Sequence, residues 1–183
     1  MAGSVAIEND HIYIMTFDTM HSLGMPKLLY TLDMSGNILS SFEVLLGGTS
    51  FWSGIFGGSS YTPVVVGDQI WVGGTGDTFR CYYPNGTVRY EGVQPNVRGE
   101  NSHGSCLYVS DSLLTAYNAS GDRFSDTGGK IIGQAGPTVA CARADNGTNI
   151  WSDWGGWEVW SSVIFSGYGE DAVIYYGSDV PGF

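Results

Sequence analysis

Basic residues are scarce in this chain. Seven Lys and Arg stand against 18 Asp and Glu, giving a formal charge of −11 at neutral pH. After Arg143 the sequence has six acids and no Lys or Arg at all. Phosphate contacts supply most of the affinity for nucleic acid and need the opposite sign, so a direct nucleic-acid partner is excluded. Anionic lipid is disfavoured for the same reason. No apolar run approaches the ~20 residues of a membrane helix, so no membrane span is expected. The start, Met1-Ala2-Gly3-Ser4-Val5, has neither a basic nor an apolar region, and no secretory signal is read there.

Cysteine and histidine are sparse too, with three of each. Cys81, Cys106 and Cys141 form no C-x-x-C pair, and His11, His21 and His103 do not fall beside them at metal-ligand spacing. No metal site is expected. Each cysteine lies in or beside a β run, where a buried thiol acts as a small hydrophobe. Three cysteines cannot all pair within one monomer, and a bridge between two of them stays open. Helical periodicity is missing as well, because apolar residues recur at every second position and not at every third and fourth.

Glycine is what the chain has in excess: 28 of 183 residues, about twice the usual ~7%. The glycines punctuate a repeated pattern. Leu29-Tyr30-Thr31-Leu32-Asp33-Met34-Ser35-Gly36-Asn37-Ile38-Leu39, Phe79-Arg80-Cys81-Tyr82-Tyr83-Pro84-Asn85-Gly86-Thr87-Val88-Arg89 and Leu114-Thr115-Ala116-Tyr117-Asn118-Ala119-Ser120-Gly121-Asp122-Arg123-Phe124 each read as strand, glycine turn, strand. The glycine supplies the positive φ that such a hairpin needs. A shorter β run accompanies each: Ile12-Tyr13-Ile14, Ile70-Trp71-Val72 and Leu107-Tyr108-Val109, with Ile150-Trp151 as a fourth. Taking Tyr13, Trp71, Tyr108 and Trp151 as markers, the units recur near the ~40–50 residues of a propeller blade. The expectation is one all-β antiparallel domain, residues 1–183, with approximate repeats at 4–46, 60–94, 103–127 and 136–177. It is a small or incomplete β-propeller; the same alternation also permits a β-sandwich.

Two aromatic segments are candidate contact sites. Phe51, Trp52 and Phe56 sit in the glycine-bracketed stretch 47–60, where ordering costs entropy unless the loop docks on a partner or on the domain's own core. Trp151, Trp154, Trp157 and Trp160 recur every third residue. At strand spacing they cannot all face one way, so they either pack between sheets or offer rings to a protein partner or a sugar. Asp145-Asn146-Gly147-Thr148-Asn149 is rich in oxygen but lacks the closing glutamate of a calcium loop, and reads as a β-turn. Asn85, Asn118 and Asn146 head glycosylation sequons at expected turns. Ser102, His103 and Cys106 are near one another with no acid placed to orient the histidine. No nucleophile elbow or phosphate loop occurs. Catalysis is not expected.

The segment Leu28 to Leu39 resembles the blade repeat of quinoprotein-like (PQQ-like) β-propellers, in which a β run ends in Asp, turns through Gly and resumes as the outer strand. Tyr61-Thr62-Pro63-Val64-Val65-Val66-Gly67-Asp68-Gln69-Ile70-Trp71-Val72-Gly73 is similar to the opening of such a blade, and Gly136-Pro137-Thr138-Val139 repeats its start. The resemblance implies the fold. The Trp that closes the family's repeat is replaced here by Ser40-Ser41-Phe42 and Arg89-Tyr90, and the family's enzymes carry more blades than this length supplies. The redox chemistry is therefore not carried over, and no cofactor is expected. Modules of this kind also occur in phage tail and surface proteins. The function expected is a non-enzymatic structural or interaction module, self-assembling, on a virion or extracellular surface. A lectin-like glycan-binding module is the alternative, and a quinoprotein-like enzyme fragment comes third.

Overall fold

A computed structural model of the chain describes residues 5–16, 27–44, 62–72, 80–91, 107–109, 129–135, 138–154, 163–167 and 171–177. Within them every regular element is a β-strand. The first sheet joins β1 (Ala6–Glu8), β2 (His11–Met15), β3 (Lys27–Asp33) and β4 (Ile38–Val44) in chain order. The second joins β5 (Val64–Val66), β6 (Gln69–Val72), β7 (Arg80–Tyr82) and β8 (Val88–Glu91) in the same way. The third runs through β9 (Leu107–Val109), β10 (Lys130–Ala135), β11 (Thr138–Arg143) and β12 (Asn149–Trp154). A hairpin of β13 (Ile164–Ser166) and β14 (Val173–Tyr175) follows. All pairings are antiparallel.

The turn chemistry is local. Asn9 and Asp10 take φ of 51° and 60° between β1 and β2, the left-handed pair that a two-residue hairpin requires and that Asn and Asp tolerate best. The outer hairpins turn at Gly36, Gly86 and Gly147, with φ of 87°, 85° and 74°. At the first, the Asp33 carboxylate accepts the Ser35 and Asn37 N–H groups at 2.9 Å and the Asn37 side-chain amide at 2.8 Å. The Asn37 side chain leads in holding that carboxyl below its ordinary pKa. At the second and third, Asn85 accepts from the Thr87 N–H at 3.0 Å and Asn146 from the Thr148 N–H at 2.9 Å. The stretch 145–149 is thus a turn, as its missing glutamate predicts.

One irregularity recurs in all three sheets. Leu32 pairs with Ile38 and Thr31 with Ser40, leaving Leu39 as an extra residue on the fourth strand. Arg89 and Ile150 are the extra residues of β8 and β12. These bulges align the cross-strand rows Tyr13–Thr31–Ser40, Trp71–Cys81–Tyr90 and Ile132–Cys141–Trp151.

Sheets stack face to face in sequence order, and each seam is a separate apolar cluster. Tyr13, Met15, Leu29 and Val44 of the first sheet meet Ile70, Val72 and Tyr82 of the second. Trp71 and Cys81 on the opposite face of the second meet Ile131, Ala140 and Ala142 of the third. Ile132, Val139, Cys141 and Ile150 meet Val163, with Phe165 and Ile174 of the hairpin packed against them. The leading strands also follow one another: β1 contacts β5, and β5 contacts β9. Three seams in series are a row of blades and not the two stacked sheets of a sandwich.

The third unit divides differently from the sequence expectation. Its sheet draws strands from 107 to 154, so the proposed boundary between 103–127 and 136–177 falls inside it. The Gly121 turn of the third expected hairpin lies outside the described residues, and within them the outer hairpin of the third sheet turns at Asn146-Gly147. Nor are the four marker aromatics equivalent. Tyr13 and Trp71 occupy second strands, whereas Tyr108 is on a first strand and Trp151 on a fourth.

Candidate functional site

Each interior sheet has both faces covered, so the faces at the two ends of the row decide what the molecule presents. The first sheet turns Tyr13, Met15, Leu29 and Phe42 toward the second. Its other face, set by the alternation of each strand, carries Ile7 from β1, Ile12 and Ile14 from β2, Leu28, Tyr30 and Leu32 from β3, and Ile38 from β4, with the exposed Ser41 and Glu43 of β4 at its far end. Ile7 and Ile38 are 58% and 62% exposed, and the residues between them are half-buried. The row Ile12–Leu32–Ile38 is the counterpart of Ile70–Tyr82–Val88 in the second sheet. There Ile70 and Tyr82 are completely buried. The same residue chemistry is fully buried at Ile70 and Tyr82 and half-buried to exposed from Ile12 to Ile38.

The hairpin at the opposite end behaves likewise. Phe165 and Ile174 pack on the third sheet. Their neighbours Ile164, Val173 and Tyr175 point the other way and are 62%, 49% and 52% exposed. Ile164 pairs directly with Tyr175, and Ser166 with Val173, so the three apolar side chains share one patch.

Between these ends the seams are fastened by an aromatic ring against a glycine turn. A Cβ at Gly86 would lie 2.4 Å from Cβ of Phe42, and one at Gly147 would lie 2.6 Å from Cβ of Tyr90. Phe42 also stacks obliquely on Tyr82 with ring centroids 5.3 Å apart. At the second seam the Tyr90 hydroxyl donates to the Asp145 carbonyl and accepts from Arg89 Nε at 3.0 Å. Arg89 further pairs with Asp68 at 2.7 Å and lies over the Tyr83 ring, 5.0 Å from its centroid. Arg143 grips Asp145 through both carboxylate oxygens. That bidentate hydrogen bonding holds the Asp145 carboxyl below its ordinary pKa. Each of these ion pairs lies within its own sheet, and the bond that crosses the seam is the one from the Tyr90 hydroxyl to the Asp145 carbonyl.

Of the residues singled out in the sequence, Trp151 is described fully. It is half-buried and packs against the cluster of Ile132, Cys141 and Val163, as the packing alternative holds. Trp154 ends β12 opposite Thr138. Phe51, Trp52, Phe56, Trp157 and Trp160 lie outside the described residues, as do Ser102, His103 and Cys106. Cys81 and Cys141 are buried on matching rows and are not bridged to each other, which answers the open question of a bridge for that pair. Burial pushes the Cys81 thiol up to about 12. Among the described residues no three His, Cys, Asp or Glu side chains converge as metal ligands, and no helix is long and apolar enough to cross a membrane. The open end faces were not singled out from sequence. Their signal was the uninterrupted Ile-x-Ile of 12–14 with Leu28 to Leu32, strands apolar on both faces in the manner of a covered sheet.

No protein-family model matches the sequence, and no curated protein does. Solved structures do. BamB from Moraxella catarrhalis aligns at 15% identity with a TM-score of 0.48, over 84% of this chain and 36% of that one. A europium-containing methanol dehydrogenase aligns at 11% identity with a TM-score of 0.50, over 82% of this chain and 24% of that one. The chain therefore spans only 24% and 36% of these structures' lengths. At such identity a likeness speaks for the fold alone. Together with the serial four-stranded sheets and their glycine-to-ring seams, it identifies the units as blades of the quinoprotein-like (PQQ-like) β-propeller fold.

Proposed function

We propose that this chain is a non-enzymatic structural or interaction module that self-assembles, as a component of a virion (phage) or extracellular surface. One observation carries the reading: the apolar row Ile7–Ile12–Leu32–Ile38 across the four strands of the first sheet, on the face that no other described sheet covers. Burying such a surface gains roughly 25 cal/mol per Å². Monomeric proteins rarely present a contiguous apolar patch of this kind unless it is used. The charge of −11 keeps copies apart at long range and leaves the apolar faces as the attractive surfaces. The surface location rests on the glycine- and tyrosine-rich, lysine-poor composition.

A lectin-like role would rest on Trp154, Trp157 and Trp160, because Trp151 is committed to packing. The test of self-assembly is the native mass by light scattering across a dilution series. A multimer that persists supports the proposal. A 19.6 kDa species at every concentration overturns it.

A further inference from the structure

We propose that copies of this chain join head to tail, the outward face of the β13–β14 hairpin of one copy covering the open face of the first sheet of the next. The proposal rests on the self-assembly reading and adds which surfaces meet. Interior seams supply the pattern. Each joins the forward face of one sheet to the backward face of the sheet that follows it in sequence, and the two ends of the row expose one of each. The backward face of the first sheet offers Ile7, Ile12, Leu32 and Ile38. The forward face of the hairpin offers Ile164, Val173 and Tyr175.

A second feature marks the first sheet as a receiving surface. Gly86 and Gly147 are each capped by a ring of the preceding sheet, whereas around Gly36, with the same turn and a φ of 87°, nothing among the described residues lies within 4 Å of a Cβ position. The turn is built like its two docked counterparts, and no side chain among the described residues docks on it. A contact between unlike faces is heterologous: it closes into a ring or continues as a filament, and it leaves one free face of each kind on every open oligomer.

That asymmetry gives the test. Ile38→Asp spoils the backward face and Ile164→Asp the forward face, each at a position 62% exposed in the monomer. A charge in either contact weakens association by roughly a hundredfold or more. Each variant alone is expected at the monomer mass. The two mixed in equal amounts are expected to form a dimer that grows no further, because one intact face of each kind remains. Variants that keep the wild-type mass, or a mixture that stays monomeric, would overturn the head-to-tail contact while leaving self-assembly standing. A wild-type protein that is monomeric throughout would remove both. Circular dichroism establishes that each variant is folded, and Ile38→Gln with Ile164→Gln repeats the mixing experiment should an Asp variant fail to fold.

Discussion

Alanine at the three equivalent glycines separates the conformational cost of a turn from the cost of a seam. Gly36, Gly86 and Gly147 share a positive φ, so each substitution forces an L-residue into the left-handed region at roughly 1–2 kcal/mol. At Gly36 the methyl meets nothing within 4 Å among the described residues, so the conformational cost stands alone. At Gly86 it would lie 2.4 Å from Cβ and 2.5 Å from Cγ of Phe42. Phe42 is fixed by its strand and by Tyr82, so the clash is relieved only by moving the two sheets apart. Overpacking of this kind typically adds about 1–3 kcal/mol. Gly147→Ala meets Tyr90 in the same way. With an m-value near ~2 kcal/mol/M in urea, the seam variants should unfold about 1 M below Gly36→Ala. The assay is urea unfolding followed by tryptophan fluorescence, at a concentration where the protein is monomeric. Equal midpoints for Gly36→Ala and Gly86→Ala would refute the claim that these turns hold the sheets together.

Four further outcomes are expected. Trp71→Ala, at a position with no exposure, should cost about 3–5 kcal/mol in the same assay. Thr31→Val should raise stability by about 1 kcal/mol, because the buried Thr31 hydroxyl has no hydrogen-bond partner among the described residues and Val matches its shape without that polar group. Asp145, whose carboxyl is held low by Arg143, stabilises the fold above its unfolded value near 3.8, and the contribution is lost as pH falls through the lower folded value. Wild type should therefore lose more stability than Asp145→Asn on acidification below about pH 4. Cys81 should react with a thiol reagent at pH 8 only after unfolding, since its pKa is pushed up to about 12. Cys81→Ser should accordingly lower the thiol count of the denatured protein without slowing the native reaction.

The sequence made the turns legible because turn chemistry is local. Asp33 through Asn37 and Asn85 through Thr87 contain their own hydrogen bonds, and their glycines declare the positive φ. Sheet membership was legible only where a glycine turn marked it. Leu107–Val109 belongs with strands that begin more than twenty residues later, a non-local pairing no short pattern encodes. The bulges hid more. With one extra residue at Leu39, Arg89 or Ile150, strict alternation assigns the fourth strand to the wrong face beyond that point, and a seam ring such as Tyr90 reads as facing outward. The tryptophans drew attention because they are large, yet Trp151 takes its place in a packed row beside Cys141. The open faces drew none, because an exposed isoleucine and a buried one look alike in a sequence.

The bulge beside each outer turn also bears on how copies avoid associating. It falls on β4, β8 and β12, the outer strand of each four-stranded sheet. A flat lateral strand with free N–H and C=O groups is a template for cross-β growth, in which any similar strand adds without limit. The inserted residue breaks the regular spacing of those groups and increases the local twist, so that an incoming strand finds no continuous ladder to extend. A chain rich in β runs is thereby steered away from amyloid.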